Sequence, residues 1–556
     1  MSLDQEKHQL SEVENTDHHH EQIKQQFGLD LSDIAAHAPS LRGNKLTAAV
    51  AFVAGTGFTL AGYDQGVMSS LLTGNQFEAS FPEVIVETSH PDHATLQSLT
   101  IAIYEVGSLF GALSNLWVGD KLGRRKTIVL GGSIMIVGAI LQTTAFSFAH
   151  LIFARIVTGY GNGLITSTVP IYHAELSPSA KRGRMIMMAG IFFMVGVTIS
   201  FFVNWSSAQW RVPIALQLAF EIIMVTCIGF LPESPRWLVK RGRDAEAMAV
   251  ISAMEDKPFS DPEVQRTYYG IRKAVAVEES SQSSLRELTT GGPSQNLRRM
   301  VIPVVLMMMQ QLTGIGFVTL WIVQTILFQR LGLSATNARI TSAANGAQNI
   351  LASIAAYYVI DYVGRRQLML IGAISQSIVM LLLAILGYIN NTPAQIVSVV
   401  LIFGFDTFFA FGWLGLALLY NAEIAGLRTR VPTNALSTAS TWTFNFVVVM
   451  AVGPVFNTIS WRIYLIFAAL NAIIVPVVYF FFPETGGRSL EDLDVVFALA
   501  YMTGEDPVKV SLRKDVPLAG SREADEILGV STGVQYHPSG KHPTPSSSPG
   551  KAGTQA

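Results

Sequence analysis

Long apolar runs alternate with short polar breaks over most of the chain. Twelve runs stand out, at 46–71, 97–118, 127–149, 151–171, 185–204, 212–231, 300–328, 340–360, 368–388, 395–420, 431–456 and 463–482. A helix rising 1.5 Å per residue needs roughly 20 apolar residues to cross a bilayer, and every run reaches that length. The pattern predicts an all-α membrane protein with twelve transmembrane helices. The breaks divide it into an N-terminal tail (1–45), a six-helix half (46–231), a central loop (232–299), a second six-helix half (300–482) and a largely disordered C-terminal tail (483–556). The N-terminal tail has no apolar core of a cleaved signal peptide. In the central loop, WLVKRGRDAEAMAVISAM reads as one amphipathic surface helix, and SSQSS as a linker. The chain ends in KHPTPSSSPGKAGTQA, a composition that does not fold alone.

Composition supports this division. Half of the 556 residues are hydrophobic, 14% are charged and the mean hydropathy is +0.38. Soluble proteins carry about 25% charged residues, so most of this chain needs no water-facing surface. A net charge of −2 implies no broad basic surface for nucleic acid. Cys227 is the only cysteine, which excludes an internal disulfide and a multi-cysteine metal site. No nucleophile–base set, metal cluster or nucleotide loop appears, so neither an enzyme nor a cofactor is expected. His18, His19 and His20 read as part of a solvated tail. Basic residues crowd the breaks after even-numbered runs, among them Lys121, Arg124, Arg125, Arg182, Arg365 and Arg430, whereas 72–96 holds only acidic charges. The positive-inside rule then places both tails and the helical central loop in the cytoplasm.

The two halves repeat one another. VGDKLGRRK at 118–126 matches VIDYVGRRQ at 359–367, pairing Asp120 with Asp361, Arg124 with Arg365, and Arg125 with Arg366. YHAELSPSAKR at 172–182 matches YNAEIAGLRTR at 420–430, pairing Glu175 with Glu423 and Arg182 with Arg430. Pro232-Glu233 matches Pro483-Glu484. Parallel six-helix repeats with a site between them are the architecture of a rocking transporter. The repeated acids and arginines, with Glu233, are expected to gate it as a cytoplasmic latch between the halves. Exposed pairs are worth about 1 kcal/mol or less, which suits contacts that break in every cycle.

On these residues the chain resembles the sugar porter family of the major facilitator superfamily. The matching stretches are GYDQGVMS (62–69), GDKLGRRK (119–126), RIVTGYGNG with PIYHAELSPSAKRGR (155–184), PESPRWL (232–238), QQLTGIG (310–316), DYVGRRQ (361–367), YNAEIAGLRTR (420–430) and PETGGRSLEDLD (483–494). GYDQGVMSSLLTG and IYEVG also resemble fungal sugar and polyol proton symporters. The resemblance implies a sugar or polyol as solute, a proton as its companion and the plasma membrane as its place. A facilitative carrier and a sugar sensor are the alternatives. Against the family pattern, Gly316 stands where Asn is usual, Leu320 and Trp321 replace an aromatic pair, and Gly190 and Leu418 replace a Gln and a Trp. The polar lining is thus thinner than usual. Gln310, Gln311, Trp442 and Asn445 are kept as the expected solute-binding residues. Two amides offer donors and acceptors to hydroxyl groups, and an indole face suits sugar C–H groups.

Ionisable groups at membrane depth are costly and tend to be functional. Asp64 and Arg155 fall at similar depth in the outer half of the membrane, so an ion pair that handles a proton is expected there. Glu105, Glu221 and Asp406 also lie inside apolar runs, lining a cavity or bonded in the structure. His173 is expected at the cytoplasmic surface, and Gly159, Gly161 and Gly163 are expected at a close helix contact.

Overall fold

The computed structural model describes residues 31–72, 74–85, 93–177, 182–206, 209–280, 291–292, 294–318, 334–426, 429–488, 490–519 and 521–528. His18–His20, Leu320 and Trp321 lie outside them, as does most of the SSQSS segment. Six long helices form the first half: α1 (Gly43–Leu71), α2 (His93–Leu122), α3 (Arg124–Thr143), α4 (Phe148–Glu175), α5 (Arg182–Ser206) and α6 (Arg211–Ile228). Six form the second: α7 (Asn296–Leu312), α8 (Ala335–Val363), α9 (Arg365–Ile389), α10 (Thr392–Phe409), α11 (Arg430–Ile459) and α12 (Arg462–Phe481). Among the described residues, ten spans are long and apolar enough to cross a membrane on length and composition alone. The other two helices, α4 and α8, have 28 and 29 residues but carry more polar side chains. Arg155, Asn162, Asn345 and Asn349 on them are buried among other helices instead of facing lipid. Large apolar side chains such as Phe153, Leu351, Tyr362 and Tyr388 are exposed on the outside, as a bilayer-facing surface requires.

The helices pair by repeat. In the first half α1 packs on α5, α2 on α4 and α3 on α6; in the second α7 packs on α11, α8 on α10 and α9 on α12. The halves join through α2 against α11 and α5 against α8. Glycine sets the closest of these approaches. A β-carbon at Gly159 would stand 2.1 Å from the Tyr104 carbonyl oxygen, and one at Gly163 2.1 Å from that of Ser108, so α4 can lie on α2 only without side chains there.

Two helices are broken beside the interface between the halves. Gly314, at φ +94°, ends α7, which resumes as a short turn at Ile315–Val318. The Thr313 carbonyl released by this break accepts the Asn471 amide at 2.9 Å. In α10 a π turn at Ala410–Leu414 separates Thr392–Phe409 from Gly415–Ile424. Such a turn frees backbone carbonyls that need other partners.

The segments outside the twelve helices depart from expectation twice. The single surface helix expected after Trp237 is two helices, Pro235–Lys240 and Asp244–Glu255, divided at Gly242 with φ +69°. Its residues 247–253 are buried, packed partly against the short helix Leu31–Ala36. The C-terminal tail is not disordered throughout: Leu490–Thr503, Pro507–Ser511 and Arg522–Ile527 are helices around a core that includes Val495, Val510 and Ala524. Apolar residues at helical spacing in LEDLDVVFALA supply that core, a pattern obscured by the polar tract that follows.

Candidate functional site

Between the halves lies a cavity that residues of both halves line. Phe58, Ala61 and Gln65 of α1 line it with Gly190, Phe193 and Met194 of α5. The second half supplies Met307, Gln310 and Gln311 of α7 and Thr438, Thr441, Trp442 and Asn445 of α11. The α5 and α10 walls are apolar, and the polar groups gather on α1, α7 and α11. Sequence reasoning missed Gln65, Thr438 and Thr441, although each adjoins or lies within one turn of a residue it had singled out.

The two adjacent glutamines differ in their bonds. Gln310 donates through Nε2 to the Trp413 carbonyl at 2.8 Å, and so fastens α7 to the π turn of α10. Gln311 donates to Gln310 Oε1 at 3.3 Å. Gln310 is thus committed to backbone, and Gln311 is the more available of the two. Trp442 stands edge-on to Tyr104 at 6.5 Å between ring centres, with its indole N–H unpartnered in the protein. Asn445 Oδ1 is likewise unpartnered.

Behind the cavity is a fully buried cluster of charges. Asp64 of α1 neighbours Arg155 of α4 and Tyr104 of α2. The expected direct ion pair is absent, because Arg155 is turned toward α2. Its Nε and Nη2 donate to the Thr100 and Ile101 carbonyls, both at 3.3 Å, and its guanidinium lies 4.6 Å from the centre of the Tyr104 ring. Asp64 faces the Tyr104 hydroxyl, and both carboxylate oxygens of Glu221 lack a hydrogen bond. Glu105 accepts from Gln65 at 3.1 Å and Asn445 at 2.9 Å. Asp406, in the second half, accepts from Asn345. His173 is buried rather than at the surface, since α4 turns it inward toward α1 and α5.

The repeated motifs form two matching clusters, around the starts of α3 and α9. Arg124 meets Glu175 at 3.1 Å and Asp120 at 3.6 Å; Arg365 meets Glu423 at 3.1 Å and Asp361 at 3.4 Å. Glu233 accepts the first backbone N–H groups of α3, from Arg124 at 3.0 Å and Arg125 at 3.2 Å. Glu484 does the same for Arg365 and Arg366 of α9. A carboxylate there satisfies unpaired donors and meets the positive end of the helix dipole. Burial pushes the Glu233 carboxyl up from its ordinary range, against these amides and that of Ser234, which favour its charge. Arg125 and Arg366 donate to the carbonyls of Gly229 and Tyr479. The Tyr172 and Tyr420 hydroxyls reach the Pro232 and Pro483 carbonyls at 2.8 and 2.7 Å. All these bonds lie inside one half, so they do not form the expected latch between halves. Arg124 and Arg365 each pair with acids of their own repeat. Arg430 opens α11 half-buried, and Arg182 opens α5.

Residues 50–497 match the family model described as sugar (and other) transporter. The chain belongs to this family of transporters. It is 36% identical over 484 residues to the Sugar transporter STL1 of Saccharomyces cerevisiae, covering 85% of this chain and 84% of that one. It is 34% identical over 502 residues to the MFS-type transporter oryC of Aspergillus oryzae, covering 88% and 92%. Its fold is that of the proton:xylose symporter XylE of E. coli, with a TM-score of 0.69 over 80% of this chain and 98% of that one at 21% identity. The twelve helices in two six-helix repeats are therefore those of the major facilitator superfamily, and the protein is a sugar-family transporter, not an enzyme. Within this transporter, Gln310, Gln311, Trp442 and Asn445 converge on one cavity, Asp64 and Arg155 lie beside it, and the repeated acids and arginines stand apart from it at the helix ends.

Proposed function

We propose that the protein carries a sugar or polyol across the plasma membrane by alternating access, in symport with a proton. The observation that carries this reading is Asp64: a fully buried carboxylate beside Arg155 and Tyr104 and next to a cavity with polar groups from both halves. Such an acid is a workable proton site, because a nearby cation favours its charge and burial favours its neutral form. Gln311, Trp442 and Asn445 bind the solute, Gln310 positions the α7–α10 wall, and the thin polar lining favours a small solute with few hydroxyl contacts. Asp120, Arg124, Arg125, Glu175, Glu233 and their counterparts Asp361, Arg365, Arg366, Glu423 and Glu484 hold each half rigid while the halves rock against each other. Arg182 and Arg430 keep the α4–α5 and α10–α11 connections in the cytoplasm with both termini. The relatives named a sugar transporter and a proton:xylose symporter support this reading. The test is uptake of radiolabelled hexoses, pentoses, disaccharides and glycerol in transporter-null cells, with and without a protonophore. Concentrative uptake that collapses with the protonophore is expected; protonophore-insensitive uptake means a facilitative carrier, and none at all overturns the reading.

A further inference from the structure

Glu105 is not itself part of the solute lining, yet it bonds two residues that are and lies near both Asp64 and Arg155. One of its oxygens, Oε1, accepts two amide hydrogens, from Gln65 of the first half and from Asn445 of the second. Both donors also line the solute cavity. The other oxygen, Oε2, has no partner, and neither has Arg155 Nη1. Glu105 and Arg155 line one narrow crevice together with Gln65, Tyr104 and Asn445. The charged and titratable groups around Glu105 are Asp64 from α1, Tyr104 on its own helix and Arg155 from α4; α11 presents Asn445, which does not titrate.

We propose that Glu105 links the solute to the proton: a solute that takes the amide hydrogens of Gln65 and Asn445 leaves Glu105 to draw Arg155 from Asp64, and Asp64 then takes up the proton. The inference rests on the symport reading above and adds the residue that couples its two ligands. Its physical basis is competition. A buried carboxylate that loses its donors must be compensated by a cation or neutralised. Arg155 is the cation at hand and holds an unused N–H in the same crevice. Two acids then compete for one arginine, and Asp64, left without it, is neutralised by one proton from the side to which the cavity is open. Because solute and proton each favour the state the other needs, each raises the other's affinity, which is the condition for symport. The same step loosens the contact between α2 and α11 that Glu105 and Asn445 make across the halves.

The test uses purified full-length protein in liposomes and whichever of radiolabelled glycerol, D-glucose and D-xylose the wild type takes up. Wild-type affinity is expected to be about tenfold tighter at pH 5 than at pH 8, the effect of about one unit of linked proton affinity. Glu105→Gln keeps an oxygen for the two amides but removes the charge that draws Arg155. Its affinity should vary less than about twofold over the same range, accumulation should fall, and solute exchange should persist. An unchanged pH profile in Glu105→Gln overturns the inference and leaves the transport reading standing. Uptake of none of the three solutes overturns both. A double-mutant cycle in thermal unfolding covers the event that Glu105→Gln folds poorly: Gln65→Leu and Asn445→Leu share one acceptor, so their costs should be non-additive. Additive costs overturn the inference as well.

Discussion

The two halves are nearly identical around the starts of α3 and α9 and unlike in the middle of the bundle. At these ends each half has an arginine between two acids, a glutamate on the next helix N-terminus and a tyrosine on a proline carbonyl. In the middle, the first half buries Asp64, Glu105, Arg155 and Glu221, while the second buries Asp406 on a neutral amide. The offset that pairs Tyr172 with Tyr420 sets Arg155 against Phe403, and the offset that pairs Asp120 with Asp361 sets Glu105 against Gly346. What both halves keep holds helices together. What one half has alone is where charge can move, and the rocking of two similar bodies needs the first while coupling needs the second.

The comparison breaks most sharply at Asp64. Asp64→Asn cannot release a proton, so the variant should fail to concentrate solute at all, with the internal level stopping at the external one. Exchange across the membrane should survive, since the asparagine keeps the volume. Concentrative uptake by liposomes containing Asp64→Asn would move the proton site elsewhere in the cluster, with Glu105 and Glu221 the remaining acids.

Next in size is the test of equivalence at the starts of α3 and α9. Arg124→Ala leaves Glu175 with little exposure and without its guanidinium, and Arg365→Ala does the same to Glu423. Breaking a buried pair costs about 3–5 kcal/mol, and the lower figure applies where Ser234 or Thr485 still bonds the stranded acid. The two variants should lose equal stability to within about 1 kcal/mol, given ordinary additivity errors, in thermal unfolding of purified protein. If one loss greatly exceeds the other, the clusters are not interchangeable, and the costlier one has a part in the cycle that its counterpart lacks.

Adjacent glutamines sharpen the distinction between holding and binding. Gln310→Leu leaves the Trp413 carbonyl of the π turn unpaired, at a cost of about 1–3 kcal/mol, and should appear mainly as lost stability and slower turnover. Gln311→Leu should leave stability nearly intact and weaken solute affinity. Michaelis constants and unfolding temperatures of the pair decide the point. The reverse assignment would mean that α7 turns its other face to the solute.

The fold was legible because lipid and water impose opposite compositions, and the twelve apolar runs record that directly. The repeat was legible because charged rims stand out against apolar sequence. What the chain did not disclose is which partner each charge takes. GRR reads equally well as a latch between halves or a brace within one, and only the packing of α3 on α4 brings Arg124 to Glu175. Asp64 and Arg155 share a depth in the sequence, but whether the guanidinium faces the acid or the α2 carbonyls depends on side-chain direction. Gln65 itself, and the partners of Glu105, were hidden for a different reason. Their importance lies in a bond network across three helices, and no spacing along one helix encodes that.

Gly316 gives the smallest and most local test. It stands where related transporters usually have asparagine, and a β-carbon built there lies 3.2 Å from Asn445 Oδ1 and farther from Val448 and Val449. An asparagine can therefore be accommodated with a shift of a few tenths of an ångström. Its amide could then donate to Asn445 Oδ1, which has no partner. Gly316→Asn should thus add one polar group to a thinly polar wall and hold the Asn445 side chain in its present orientation. The gain is that of a single neutral hydrogen bond, about 1 kcal/mol or roughly fivefold in affinity. It should favour solutes with more hydroxyl groups, so the ratio of hexose to glycerol uptake should rise. A fall in affinity for every solute would show instead that the missing side chain at 316 leaves room that the solute itself occupies. The cavity would then be selecting by shape at this wall and not by hydrogen bonding.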